Sequence, residues 1–382
     1  MSREATGGSQ APAACDRCLA RTWLLGRLGG HLEVVRGRVG ELLELDDERL
    51  ILAVGGRDRT MLAREHARFA GDAADESRTR SRAAGLALIC RCDPAYPPAL
   101  AALEAPPAVL HIAGDAERFL AVCGPGDVVA IVGTRAASGY GLDVAATLGR
   151  GLGAAGVTVV SGMATGIDAA AQRGALAGGG ATVAVLPGAA NRPYPRSERR
   201  LYREVVAAGA AVSELGPGAN VWRWSLQARN RLVAGLATMT VVVEAGARSG
   251  SLITARVAAQ LGRTVGAVPG LVTSPRASGT NALLAEGATV VRGAQDVLNA
   301  VFGAGVRIAT ADARAAPTPR QAALLREIGS GRDTVAKLGR AALAEDSRAD
   351  ASQAHAVMTE LAALELGGWV RRGAGGRFTV VP

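Results

Sequence analysis

VVAIVGTRAASGYGLDVAATLGRGLGAAGVTVVSGMATGIDAAA, the stretch from Val128 to Ala171, repeats one grammar twice. Val128–Val132 and Val157–Val160 are short runs of small and β-branched residues, each running into a loop of Gly, Thr and Ser that opens onto a helical segment. Strand, polar loop and helix in repetition predict an open parallel sheet with helices on its faces. In such sheets ligands sit at the carboxyl ends of the strands, where helix starts present unpaired N–H groups to anions. The loops Gly133–Ser138 and Ser161–Asp168 are therefore the first candidates for a binding site.

The same alternation continues downstream through Thr182–Leu186, Ala211–Glu214, Thr240–Val243, Thr264–Val268 and Ala288–Val291, predicting a doubly wound, Rossmann-like sheet of about seven strands. Two nucleotide signatures fail against it. Gly151-Leu-Gly-Ala-Ala-Gly156 spells GxGxxG but precedes a strand, whereas the dinucleotide fingerprint follows one, so it reads as a helix-ending turn. A Walker A loop needs Gly-Lys; Lys337 is the single lysine and no glycine loop precedes it, which excludes an ordinary P-loop NTPase.

Upstream, Leu24, Leu25, Leu28 and Leu32 recur at helical spacing, and Asp46-Asp47 predicts the start of a helix through Leu50, Ile51 and Val54 that Gly55-Gly56 ends. Residues 1–85 thus read as a helical domain of SAM or helix–hairpin–helix type. Pro-rich Asp93–Pro98 and Ala105-Pro106-Pro107 mark an extended approach to the sheet domain, 86–305. Cys15-x-x-Cys18 and Cys90-x-Cys92 have the residue types of a split four-thiolate zinc site, with free thiols in a reducing compartment as the alternative. After a linker over 306–316, residues 317–382 carry three helical segments and a Gly-rich hairpin, a winged-helix pattern with a charge of only +2, which suits protein contact better than DNA.

The net charge of +9 is unevenly placed: residues 1–127 carry −2, residues 128–300 carry +8 and the remainder +3. A basic excess on the sheet whose loops favour anions points to a polyanionic partner, a solvated basic surface being the other reading. Only four Trp, four Tyr and four Phe are present, so base stacking is expected to be a minor term, with Trp222 and Trp224 assigned to packing. No secretory signal or membrane span is visible, and a cytoplasmic location is expected.

Several segments, in order and spacing, resemble the DNA-processing protein A family (DprA, also called Smf). They are Val128–Arg135 with Ser138, Ser161–Asp168, Glu244-Ala245 with Ser249–Ala255, Val268-Pro269-Gly270 and Ser278-Gly279-Thr280-Asn281. Tyr96-Pro97, Arg229-Asn230-Arg231 and the tail fit as well, and the match is close over residues 86 to 302. The resemblance implies an extended Rossmann-like fold that dimerises, single-stranded DNA as ligand, loading of the RecA recombinase in natural transformation and recombination, and no catalytic residue or required cofactor. Three positions depart from it: Gln172 stands where the family has His, Leu226-Gln227 where it has Phe-Pro, and Thr134 where it has Ser.

On the chain's own chemistry, backbone N–H groups at Gly162, Gly166, Gly250 and Ser251 are expected to nest phosphate, with Arg135 donating a charge-assisted bond. Ser138, Ser161, Asn230 and Ser249 complete the expected site, and Asp168 reads as a helix N-cap. Arg229 and Arg231 are phosphate donors or else partners of Glu244 or Glu214. The competing reading is a phosphoribohydrolase of Lonely-guy type, but its PGGxGTxxE loop is absent from Pro187–Ala190 and Pro269–Val272. A general acid–base pair would have to be Asp168 with Glu244.

Overall fold

The computed structural model describes residues 14–123, 128–309, 316–339 and 351–381. Two compact units divide the chain, one ending at Ala309 and the other beginning at Thr310. In the first, nine strands form one sheet: β1 (Leu86–Cys90), β2 (Val109–Gly114), β3 (Val128–Val132), β4 (Thr158–Ser161), β5 (Thr182–Val185), β6 (Ala210–Ser213), β7 (Met239–Val242), β8 (Thr264–Ala267) and β9 (Thr289–Val290). Their order is β1-β2-β6-β5-β4-β3-β7-β8-β9.

The seven strands from β6 to β9 are parallel, as the alternation predicts. The expected seven-stranded sheet is extended by β1 and β2, which pair antiparallel with each other and, through β2, with β6. The Pro-rich segment expected to be extended is instead the connection between these two strands, turning after Cys90 and forming a short helix at Pro98–Ala101. LALIC is a short apolar run whose periodicity does not distinguish strand from helix, and only the pairing with β2 resolves it.

Every residue of β3 is buried, its side chains alternating between two cores: Val128, Ala130 and Val132 face one, Val129 and Ile131 the other. Helices cover both faces, which is why these strands read as continuous apolar runs. On one face the helices Gly139–Ala154 and Ile167–Ala177 approach backbone to backbone. A Cβ at Gly149 or Gly153 would overlap the carbonyl of Ala171 or Ala175, and one at Gly174 or Gly178 that of Ala146 or Arg150. Gly156, with φ +75, ends the first of these helices, so the GxGxxG string is a helix terminus.

The helices between Asp16 and Ala83 pack into this same unit. Asp46 caps the helix Asp47–Val54 through Arg49 N (2.8 Å), and Leu24, Leu28, Leu32 and Leu50 are fully buried with Leu215 and Trp224 of the sheet domain. The described residues include no helix long and apolar enough to cross a membrane.

In β2, His111 is fully buried, and burial pushes its pKa down to about 4 against the opposing influence of the Ser213 backbone. Between pH 6.5 and 4 the unfolded chain takes up a proton that the folded chain refuses. His111 therefore contributes stability that is fully present above the unfolded pKa and lost as pH falls through that window, by up to about 3 kcal/mol. Denaturant unfolding at about pH 7 and about pH 4.5 should show the parent losing about that much more than His111→Phe. Equal losses would refute the assignment.

The second unit holds helices Pro319–Gly329 and Ala351–Leu366 and a hairpin of β10 (Val370–Arg372) with β11 (Phe378–Val380). Thr318 and Gln321 cap the first helix reciprocally. Val357, Leu361 and Leu364 share one core with Leu324, Ile328, Leu338, Val370 and Phe378, the face expected from their spacing.

Candidate functional site

Strand order reverses at β3: β4 lies on one side and β7, much later in sequence, on the other. The loops after β3, β4 and β7 therefore splay apart at one crevice, where an open α/β sheet takes its ligand. A groove of about 530 Å³ occupies it, bringing together Arg135, Gly162, Asp168, Arg229, Asn230, Ser249, Gly250 and Ser251 of the expected site. A small recess of about 60 Å³ continues past Arg135 and Arg229 to Tyr194 and Pro195.

Four guanidinium groups line the groove, from Arg36, Arg135, Arg223 and Arg229, against a single carboxylate, Asp168. Arg135 and Arg223 are exposed, and Arg135 has no carboxylate partner among the described residues. The larger recess of about 1080 Å³ among the N-terminal helices mixes Arg17, Arg21 and Arg59 with Glu44, Asp46 and Asp47, so it offers no field of one sign.

Arg229 is buried beneath the groove, its Nη1 donating to the Val185 carbonyl (2.8 Å) and its Nε to Asn230 Oδ1 (3.1 Å). Burial lowers its pKa and the nearby Asp168 carboxylate opposes that. Burial likewise raises Asp168, opposed by Arg229 and by backbone N–H donors. Gly162 is what admits the guanidinium, because a Cβ there would coincide with it. Asn230 Nδ2 in turn donates to the Gly250 carbonyl (3.3 Å), tying this pair to the loop before the helix Ser251–Gln260.

Asp168 is the second residue of its helix, after Gly166 in the cap position, so the N-cap reading is corrected. Its Oδ2 accepts from Gly162 N (3.1 Å) and Ala164 N (3.4 Å), which removes the Gly162 N–H from the groups expected to nest phosphate. Ser138 N and Oγ both donate to Glu244 (2.8 Å each), and Ser138 Oγ accepts from Gly141 N (3.1 Å) as the true N-cap of Gly139–Ala154. Ser161 Oγ is buried against the Ile131 carbonyl (2.6 Å). Arg231 pairs with Glu214 through two bonds (2.8 and 2.6 Å), the second of the two roles open to it, while Arg229 pairs with neither Glu214 nor Glu244. Ser138, Ser161, Gly166 and Arg231 therefore do not line the groove. Asp168 is occupied by backbone N–H groups of its own loop and Glu244 by Ser138 of the loop after β3, an arrangement suited to holding backbone rather than relaying protons.

Gln172 is buried behind the groove, donating to Thr182 Oγ1 and the Val183 carbonyl (3.2 Å each), whereas Leu226 and Gln227 line the groove directly. Thr134 Oγ1 accepts from Ala136 N (3.2 Å). Arg36 and Arg223 escaped the sequence reading. Arg223 opens a short helix that carries no motif, and Arg36 reaches the groove only because the N-terminal helices pack on that helix, Arg223–Ala228. That packing is fixed by Trp224, whose Nε1 donates to the Gly29 carbonyl (3.0 Å) and whose N donates to Glu33 Oε2 (3.1 Å).

Away from the groove, the sulfurs of Cys15, Cys18, Cys90 and Cys92 all lie within 4.8 Å of one another, Cys18 and Cys92 at 3.7 Å. Tetrahedral zinc with bonds of about 2.3 Å separates its sulfurs by roughly 3.8 Å, so the cluster has the dimensions to hold zinc. Cys15 and Cys18 sit at the start of the helix Asp16–Arg27, Cys90 ends β1, and Cys92 lies in the following turn. The Arg17 guanidinium donates to Cys92 (3.5 Å) and holds its thiol below the usual range.

Residues 87–302 match the family described as DNA recombination-mediator protein A. A Mycobacterium tuberculosis relative bearing the DprA name is 49% identical over 172 residues, 45% of this chain and 44% of the relative. The DNA processing protein DprA of Streptococcus pneumoniae is 41% identical over 170 residues, 44% of this chain and 60% of that protein. The chain thus spans about half the length of the curated relatives it matches. The X-ray structure of DNA processing protein A from Streptococcus pneumoniae superposes with a TM-score of 0.59 at 29% identity, covering 74% of this chain and 96% of that one.

Proposed function

This chain belongs to the DNA recombination-mediator protein A family, and on that premise we propose that its switch-point groove holds the backbone of single-stranded DNA. The observation that carries the reading is the groove's charge: four guanidinium groups face one carboxylate that its own loop already occupies. The +8 excess of residues 128–300 supplies a field of the same sign. In this reading the protein acts without catalysis in DNA uptake and homologous recombination, protecting incoming strands and loading the RecA recombinase as a cytoplasmic homodimer. The tail from Pro317 serves as a winged-helix module for protein contact, in keeping with its nearly balanced charge.

Arg135→Ala should weaken binding of oligo-dT by about 1–3 kcal/mol, as for one charge-assisted bond, and equally for all sequences. Affinity should fall steeply with salt, the log–log slope being roughly −0.7 per neutralised phosphate, and the variant should flatten it by about one contact. Gel shifts with single- and double-stranded DNA at about 50 and about 200 mM salt provide the measurement. A folded Arg135→Ala protein that binds as tightly as the parent at both would place the phosphates elsewhere.

The four-cysteine cluster supports a second reading, a structural zinc joining the start of the first helix to the end of β1. Four thiolates with no open position are the donor set of a structural rather than a catalytic site.

A further inference from the structure

The chain has four tryptophans, and three of them, Trp23, Trp222 and Trp224, line a second groove of about 650 Å³ together with Phe69. Trp224 forms its buried floor. Trp222 and Trp23 pack on the core of the N-terminal helices, as expected of Trp222, and are half-buried. Trp222 leans on Gly29, where a Cβ would stand 2.7 Å from the indole nitrogen, and Trp23 lies tilted against Phe69 with ring centres 5.5 Å apart. The rim carries Arg27, Arg68 and Arg80 against Glu65 and Glu76; Glu65 is paired with Arg27 (3.1 Å), and Arg68 has no carboxylate partner among the described residues. Half-exposed indoles flanked by guanidinium groups suit bases and phosphates alternately, and stacking contributes roughly 1–3 kcal/mol per base.

Consecutive residues line the two grooves, Arg223 the first and Trp222 the second. We propose that a strand held in the switch-point groove continues past Arg223 into this second groove, where its bases stack on Trp222 and Trp23. The proposal rests on the single-stranded DNA reading above. It assigns the N-terminal helices a share of the ligand and makes the footprint longer than the sheet loops alone provide.

The test uses the full chain carrying Trp369→Phe, so that the remaining indoles report on this region. Oligo-dT of about 5 and about 20 nucleotides, within and beyond the span of a single stacking site, are the probes. The longer oligonucleotide should quench tryptophan fluorescence and the shorter should not. Trp222→Leu and Trp23→Leu, which keep an apolar side chain but remove the stacking ring, should each weaken the longer about tenfold and leave the shorter unchanged. If the parent binds the short oligonucleotide in an Arg135-dependent way but neither variant alters the longer, this proposal is overturned and the first groove stands. If the parent binds neither, both readings fall. Oligonucleotide affinity intact with self-association lost in Trp222→Leu would assign the groove to a second copy of the chain and overturn the proposal.

Discussion

Gly162→Ala should lower the unfolding free energy by about 2–4 kcal/mol and remove most of the single-strand affinity, although it adds one methyl group. The new Cβ would occupy the place of the Arg229 guanidinium, which has to leave its seat under the groove. Two groups then lose their partner. The buried Val185 carbonyl no longer receives the Nη1–H, and buried Asp168 loses the cation that offsets its desolvation. Arg229→Met removes the same bond to Val185 and the same offsetting cation near Asp168, so it should be comparably damaging, at about 2–4 kcal/mol. The diagnostic is the combination: in Gly162→Ala with Arg229→Met the methyl meets no guanidinium, and the double variant should be little worse than Arg229→Met alone. A coupling energy of about 2 kcal/mol or more is expected from the cycle. Additive effects would mean that the glycine serves some purpose other than admitting the arginine. The deficit of Arg229→Met should also shrink as pH falls, because Asp168 is already held above the ordinary carboxylate range and protonation removes the unpaired charge.

The second large effect is expected at the cysteines. Protein purified without chelator should carry about one zinc per chain, and Cys90→Ser, which alters a buried thiol at the end of β1, should carry none. Metal bound only by the folded state stabilises it by RT ln(1 + [L]/Kd), about 4 kcal/mol when free zinc exceeds Kd a thousandfold. Chelation should therefore lower the melting temperature of the parent by several degrees and leave that of Cys90→Ser unchanged. A folded parent without metal would eliminate the site. The cation groove lies elsewhere, so stripping zinc tests whether the helices that bring Arg36 to the groove are held by this clamp.

Much of this was legible in the chain because each element carries its own physical signal. The parallel sheet declared itself through short β-branched runs, each followed by a Gly-rich loop and a helix. Asp46, Leu50 and Gly55 marked a helix at both ends and in its core. The groove loops were legible for the same reason, since a helix start after a strand is an anion site by geometry. What was not legible depends on contacts between distant segments. Leu86–Cys90 became a strand only through Val109–Gly114, Arg36 became a groove residue only through Trp224, and Gly162 N–H was claimed by a carboxylate six residues away. The roles of Arg229 and Arg231, two residues apart, differ because one faces Glu214 and the other passes under Gly162.

The glycine-lined contact between the helices Gly139–Ala154 and Ile167–Ala177 gives the protein a fixed gauge. No side chain stands between the two helices at Gly149, Gly153, Gly174 or Gly178, so their separation is set by the radii of backbone atoms, which substitution elsewhere does not alter. Both helices begin at the loops that follow adjacent strands β3 and β4. The spacing of those two loops is thereby insulated from drift in the apolar residues of the cores, which are free to be exchanged for others of similar volume without retuning the interval at which the loops meet a repeating ligand.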